Sequence, residues 1–222
     1  MRALIGYTGF VGNVLQEQIS FDKLYNSANV NDITNFEFNE VYCAAPTGNR
    51  LIANQNPEED IANVDNLIDT LQTIKTKRFV LIGTVDSINC VNTAYGLHRK
   101  MIEDAVRDIF KDYIIVRLPS LIHPNIHKNI LHDLKNSVYL EKINLAQNNQ
   151  WYPMHRLSKD IRDLTVSEAN FVSVPISNKE IVDWFMPGVG KYNEAHLYDL
   201  KFNEDYLISK DEIYDEIKSY LR

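Results

Sequence analysis

The sequence predicts an α/β chain built on a doubly wound parallel sheet, with a small C-terminal lobe for a substrate. Three observations predict it. Strand-like and helical segments alternate from residue 2 to residue 119, the run "RFVLIGT" is apolar almost without a break, and the glycine-spaced turn "GYTGFVG" follows the first strand.

Taken in order, "RALIGYT" is a short apolar run that a glycine ends, and "FVGNVLQEQI" behind it has helical character. "DKLYNSA" and "EVYCAAP" read as two further short strands. The clearest helix lies in "NPEEDIANVDNLIDTLQTIKTKR". Asn56 can cap it, Pro57 suits its first turn, Glu58 to Asp60 meet the positive end of its dipole, and Lys75 to Arg78 follow its end. Ile61, Val64, Leu67, Ile68, Leu71 and Ile74 make its apolar face.

"RFVLIGT" is then what a parallel strand covered on both faces looks like. "TAYGLHRKMIEDAVRDIF" returns to the helical period and "DYIIVRLP" to strand. Beyond Pro119 the pattern weakens. "NIHKNILHDLKN" reads as a helix, "ANFVSVPI" as a strand, "NKEIVDWF" as a short helix and "SKDEIYDEIKSYLR" as a closing amphipathic helix. Residues 1–122 are thus expected to form a dinucleotide-binding core, and 123–222 returning sheet elements with a substrate-binding lobe.

The totals bound the function. With 222 residues, 45% apolar, the chain can bury one substantial core. A net charge of −7 without clustered Lys and Arg argues against a nucleic-acid partner. Cys43 and Cys90 show no CxxC spacing, which fits a reducing compartment and no disulfide framework. Ala3 to Ile5 is too short for a signal peptide and no apolar run approaches a membrane span, so a cytoplasmic protein without a membrane partner is expected. His123, His127 and His132 are expected to hold no metal, because Pro124 interrupts the helix that would align the first two.

Gly6, Gly9 and Gly12, with Thr8, Phe10 and Val11 between them, are spaced as a pyrophosphate requires. Glycine permits the tight turn, lets an anion approach bare backbone and lets the following helix pack close, with its N-terminal amides facing the charge.

At this point the chain resembles a known family, the extended short-chain dehydrogenase/reductases, which include nucleotide-sugar epimerases, dehydratases and reductases. The resemblance rests on "GYTGFVG", "CAAP", "NPEEDIANVDNLIDTL", "LIGTVDS", "AYGLHR" and "VRLP", and covers residues 1 to 120 most strongly. It implies a Rossmann fold, a nicotinamide dinucleotide held in part by Cys43, Ala44, Ala45, Leu118 and Pro119, and a nucleotide-activated sugar as substrate. The family usually carries an acidic residue for the adenosine ribose after the second strand. Asn26 and Ser27 stand there instead, as ribose ligands or as ordinary turn formers. NAD and NADP both stay open, with a lean to NADP because no carboxylate at Asn26 would repel its extra phosphate.

Hydride transfer from a carbinol needs a proton acceptor, and a tyrosine serves near neutral pH only if positive charge lowers its pKa. By resemblance the members of the family use a Ser or Thr, a Tyr and a Lys four residues after the Tyr. Thr84 and Tyr95 match the first two, but Arg99 stands at the third position, and Lys100 is turned about 100° further round the helix. A guanidinium can stabilise a tyrosinate yet cannot release a proton into a relay.

The short 84–95 segment implies a more open pocket than relatives have. Asp86 reads as a strand-end residue or as a substrate ligand where dehydratase relatives carry a glutamate. Asn129 and Gln150 are candidates for the nucleotide-sugar, while Trp151 and Tyr152 suit lobe packing, with Tyr152 kept as a substrate candidate. Two functions follow. One is an NAD(P)-dependent oxidoreductase or epimerase on a nucleotide-activated sugar or related carbinol, with Thr84, Tyr95 and Arg99 as its catalytic set. The other is a non-catalytic NAD(P)-binding sensor or scaffold. A homodimer is an expectation of the resemblance alone.

Overall fold

Apolar runs become strands and period-3.6 segments become helices through most of the chain, and the computed structural model describes residues 1–222. The first unit of the sheet is β1 (Arg2–Ile5) and α1 (Phe10–Gln18), followed by β2 (Lys23–Tyr25) and β3 (Glu37–Cys43). Next come α2 (Arg50–Gln55), α3 (Pro57–Gln72) and β4 (Lys75–Thr84). A single turn, α4 (Asp86–Asn89), leads into α5 (Ala94–Ile109), β5 (Tyr113–Leu118) and β6 (Ser120–Ile122). The remaining elements are α6 (Ile130–Asn136), β7 (Asn148–Asn149), β8 (Trp151–Pro153), α7 (Leu157–Arg162) and β9 (Glu168–Asn170). β10 (Ile176–Ser177), α8 (Asn178–Phe185) and α9 (Lys210–Leu221) complete the chain.

Six strands form one parallel sheet in the order β2-β1-β3-β4-β5-β9. Ile5 pairs with Tyr25 on one side and with Cys43 on the other, and Cys43 pairs with Leu81. The chain therefore winds outward from β1 in both directions, and the crevice beyond its carboxyl end is where ligands bind in open α/β sheets. Ala3, Leu4, Val41, Phe79, Val80, Ile115 and Val116 are fully buried, as strands covered on both faces must be. Phe79 stacks on Phe110 at 4.2 Å between ring centroids, fixing the end of α5 to β4.

The apolar face expected of α3 is the one it buries, through Val64, Leu67 and Leu71. Its cap differs from expectation. Asn56 occupies the N-cap position, but its amide donates backward to the Ile52 carbonyl at 3.4 Å, and Pro57 alone supplies the start signal. Lys75 to Arg78 are not a helix tail: they open β4. "ANFVSVPI" is likewise two pieces, the end of β9 and the start of β10.

The chain divides into two compact units, Met1–Arg117 with Leu157–Ala169, and Leu118–Arg156 with Asn170–Arg222. The first holds the sheet. Its returning segment brings α7 against α1, where the Ser158 amide donates to Gln18 Oε1 at 2.9 Å, and adds β9 to the sheet edge. The second is built on β6 paired with β8 and β7 paired with β10, around Trp151, Tyr152 and Phe171. Reciprocal capping boxes start its last two helices, Ser177 with Glu180 and Ser209 with Glu212. No helix of the chain is long and apolar enough to cross a membrane.

Candidate functional site

The glycine turn joins β1 to α1 at the carboxyl end of the sheet, and its three glycines have three different reasons to be there. Gly6 has φ +85°, and a Cβ on it would lie 2.9 Å from the Ala44 backbone. A Cβ on Gly12 would come within 2.1 Å of the Gly6 carbonyl oxygen, so this glycine lets α1 pack against the turn. Gly9 is different. Its φ of −79° suits any residue, and the one atom near a Cβ built there, Gly6 O, is 3.4 Å away. The fold itself does not require glycine at position 9, and its bare backbone leaves that face of the turn open.

Gly9 is also the N-cap of α1, with no side chain capping the helix and no acidic residue in its first turn. Thr8 and Gly9 are exposed, and Phe10 and Val11 half-buried beside them. This turn could hold a pyrophosphate, with the positive end of the helix dipole facing it. Ala44 and Ala45 follow β3 at the same sheet end. Cys43 itself points into the core: its thiol is fully buried, contacts the Ala45 carbonyl at 3.7 Å, and burial pushes its pKa up to about 12.

Asn26 follows β2, and its side chain is tied into the local turn. Oδ1 accepts from the Ala28 amide at 2.9 Å, and Nδ2 donates to the Tyr7 hydroxyl at 3.3 Å. Ser27 next to it is exposed. Of the two roles considered for Asn26, this geometry is that of the turn former.

Thr84 ends β4 and Tyr95 lies in the first turn of α5, also at the carboxyl end of the sheet. The Thr84 side chain lies near enough to the tyrosine hydroxyl to lower its pKa. What sets them side by side is α4 and Gly96. A Cβ on Gly96 would lie 2.2 Å from the Cys90 carbonyl oxygen, so only glycine lets α5 start this close to α4. Thr93 caps α5 by accepting from the Gly96 amide at 3.1 Å, and Asn54 Oδ1 accepts from the Tyr95 amide at 2.9 Å. Tyr95 is 7% exposed. Burial raises its pKa above the ordinary 10.0 more than Arg99 and Thr84 lower it, with Asp86 adding to the rise.

Arg99 is where the helix period puts it, one turn beyond Tyr95, with its guanidinium 4.4 Å from the centre of the tyrosine ring. Its hydrogen-bonding groups point elsewhere. Nη1 and Nη2 hold both oxygens of Asp60 at 2.7 and 2.9 Å, and Nη2 also reaches the Thr47 carbonyl at 2.8 Å. His98 Nδ1 shares Asp60 at 2.8 Å. Burial works to raise the Asp60 carboxyl, but the hydrogen bonds from Arg99 and His98 outweigh it and hold the pKa below the ordinary value. Arg99 is thus an anchor between α5, α3 and the loop after β3, and its charge is shared with a buried carboxylate. A second guanidinium stands nearer the opening: Arg50 Nη1 is 3.4 Å from Asp86 Oδ2, and Asp86 is itself buried at the start of α4.

Behind Thr84 lies a buried ionic network. Ser87 Oγ is 2.7 Å from the Thr84 carbonyl and 2.5 Å from Glu103 Oε1. Glu103 accepts from Arg117 through both carboxylate oxygens, and Arg117 and Arg107 both reach Glu168 on β9. Periodicity could not announce this network, since it joins residues 51 and 61 apart.

Leu118 and Pro119 open the second unit, Leu118 buried and Pro119 half-buried. The other substrate candidates are held within that unit. Asn129 has φ 139°, caps α6 by accepting from the His132 amide at 3.1 Å, and donates to the Leu121 carbonyl. Gln150 is 2% exposed, donates to the Ser173 and Leu200 carbonyls and accepts from the Leu200 amide. Tyr152 is fully buried, 5.3 Å from the Phe171 ring. Gln150 belongs to a series of amide side chains that clamp an extended segment: Asn144 holds Glu194, Gln147 holds His196, and Asn148 holds Tyr198 through main-chain groups.

No protein-family model matches the chain, and no curated protein matches its sequence. Solved structures do match its fold. UDP-glucose 4-epimerase from Thermotoga maritima, crystallised with UDP-glucose, superposes with a TM-score of 0.74 over 100% of this chain and 99% of that one, at 12% identity. The Bordetella bronchiseptica enzyme WbmG in complex with NAD gives 0.74 over 99% and 93%, at 12% identity. The dTDP-4-dehydrorhamnose reductase of Bacillus anthracis in complex with NADP gives 0.73 over 99% and 98%, at 14% identity. This chain shares with them the Rossmann-like architecture, a parallel sheet flanked by helices.

Proposed function

We propose that the chain is an extended short-chain dehydrogenase/reductase that binds a nicotinamide dinucleotide at the Gly6–Gly12 turn and acts on a nucleotide-activated sugar or related carbonyl compound, with Tyr95 as its proton-transferring group. The observation that carries the reading is the placement of Thr84, at the end of β4, and Tyr95, in the first turn of α5, at the same end of the sheet as the glycine turn, with the Thr84 side chain near enough to lower the tyrosine's pKa. The open face of Gly9 supports the cofactor, as do solved neighbours in complex with NAD and with NADP. Asn26 and Ser27 suit either dinucleotide, with no carboxylate set against a 2′-phosphate. The nucleotide-sugar class is supported by the neighbour crystallised with UDP-glucose.

A nicotinamide held at the glycine turn would supply or accept the hydride. The chain's own residues then decide the proton. Because burial keeps Tyr95 protonated through neutral pH, its hydroxyl is set to donate to a carbonyl oxygen, with the Thr84 side chain beside it. Arg99 over the ring eases the negative charge left on Tyr95 after transfer, while Asp60 limits how far it can do so. In the direction of reduction, Tyr95 is the proton donor.

The bidentate commitment of Arg99 to Asp60 favours a second reading, a dinucleotide-binding module without turnover. The deciding experiment is calorimetric titration of dinucleotide-stripped protein with NAD(H) and NADP(H), followed by a panel of UDP- and dTDP-sugars. Tyr95→Phe should lower turnover by about 100-fold or more while dinucleotide affinity is kept. Turnover intact in Tyr95→Phe would overturn the assignment of the proton to Tyr95, and no turnover in the wild type with tight dinucleotide binding would favour the module.

A further inference from the structure

β1, β3 and β4 run side by side in a register that places Arg2, Glu40 and Arg78 in one row across the sheet. Two residues on, and so on the same face, the next row is Leu4, Tyr42 and Val80. All of these but Leu4 floor a cavity of about 450 Å³, walled by the carboxyl end of α1 and by α7 with Arg162. The cavity sits at the level of the first residue of β1, whereas the glycine turn follows its last.

Its chemistry is that of an anion receptor. Arg2 pairs with Glu40 at 2.7 Å, and Arg78 pairs with Asp112 at 3.0 Å, a carboxylate that does not line the cavity. Arg162 makes no ion pair or hydrogen bond. Three guanidiniums thus face one lining carboxylate in a chain of net charge −7. Tyr42 is 7% exposed, its ring edge-on to Phe21, yet its hydroxyl makes no hydrogen bond within the protein. The ring is buried, but the hydroxyl itself reaches solvent, where it can donate to a ligand in the cavity. Burial foremost, then Glu40, raises its pKa against the opposing charges of Arg2, Arg78 and Arg162, so at neutral pH it is a donor on which all three arginines converge.

We propose that this cavity is a second small-molecule site, one that binds the phosphoryl group of a compact phosphorylated metabolite. A single guanidinium fork satisfies a carboxylate, whereas three cations and a hydroxyl donor match the charge and the several acceptor oxygens of a phosphoryl dianion. Val80 and Ile161 offer an apolar wall to the body of the ligand, and the volume falls in the range of about 300–1,000 Å³ usual for such sites.

The test is calorimetric titration of the full chain with ribose 5-phosphate, with inorganic phosphate and ribose in parallel at constant ionic strength. Ribose 5-phosphate should bind saturably and inorganic phosphate more weakly, and ribose should give no heat. Arg162→Gln should weaken ribose 5-phosphate binding by about tenfold or more, and Tyr42→Phe, which keeps the ring, by about fivefold. Gly9→Val should leave it unchanged. Absence of saturable binding by either anion overturns the proposal, as does binding that survives both Arg162→Gln and Tyr42→Phe or is lost in Gly9→Val. Equal affinity for inorganic phosphate would make the free ion the ligand and overturn the assignment to a metabolite. Arg162 is exposed, so its variant folds even if Tyr42→Phe does not, and Arg162→Gln alone then decides.

Discussion

Tyr95 and Arg99 meet on one helix face, but a neighbour on the ring is not the same as a free charge. Asp60 takes both guanidinium nitrogens in a buried fork, and a lysine at 99 could not reproduce that fork. Asp60→Asn should accordingly cost about 3 kcal/mol or more, because Arg99 would stay buried with its counter-charge gone. Urea unfolding of the variant checks this, and a loss under about 1 kcal/mol would mean that Arg99 finds another partner. The raised pKa of Tyr95 carries its own expectation with a definite sign. As a proton donor it works while protonated, so the rate of carbonyl reduction should stay level through neutral pH and fall only above the ordinary tyrosine value near 10. A rate that instead climbs between pH 7 and 9 would make the tyrosinate the working form. Asp60 illustrates what a sequence hides. It reads as a first-turn acid meeting the helix dipole, and its partners His98 and Arg99 are 38 and 39 residues away.

At the scale of elements, the β1–α1 unit separates what the fold needs from what a ligand needs. Gly12→Ala places a carbon 2.1 Å from a carbonyl oxygen and should destabilise the unit by about 3 kcal/mol or prevent folding. Gly9→Ala should change stability by no more than about 1 kcal/mol, yet weaken dinucleotide binding by about tenfold or more. Thermal melts and calorimetry on the two variants measure both, and equal stability losses would remove the distinction. The turn was legible because backbone geometry restricts residue choice so strongly that three glycines at fixed spacing announce it. The strands were legible because burial on both faces leaves a continuous apolar run. In the second unit the helices α6, α8 and α9 were legible, but its extended segments were not, for a physical reason. Its extended segment near residues 194–200 is held by Asn144, Gln147, Asn148 and Gln150 through side-chain amides, and polar residues doing a strand's work carry no period. The return of residues 157–169 to the sheet was equally silent, since α7 is only six residues long and its partner α1 lies far back in the chain.

Across the whole molecule, 30 acidic residues against 23 basic ones make the response to acid the informative one. The carboxylates with shifted pKa share a direction. Hydrogen bonds from Arg107 hold Glu168 down to about 2 despite partial burial, with Arg117 adding to the effect, and Asp60, Glu180 and Glu212 are also lowered. A carboxyl whose pKa is lower folded than unfolded binds fewer protons in the folded state, so stability is full above the unfolded value and falls as pH drops toward the folded one. For Glu168 that window runs from its ordinary 4.5 down to about 2. Net charge makes the same stretch of pH harder to survive, because protonating the carboxylates turns a chain of −7 into a cationic one whose arginines repel. Glu168→Gln separates the two effects. It removes the titrating group that bridges Arg107 and Arg117 but leaves the other acidic residues in place. The variant should melt several degrees lower at pH 7, where the wild type has its ion pairs, and its melting temperature should fall less steeply than the wild type's between pH 4.5 and 2. Parallel melting curves over that interval would mean that general charge repulsion, and not the Glu168 network, sets the acid limit of this fold.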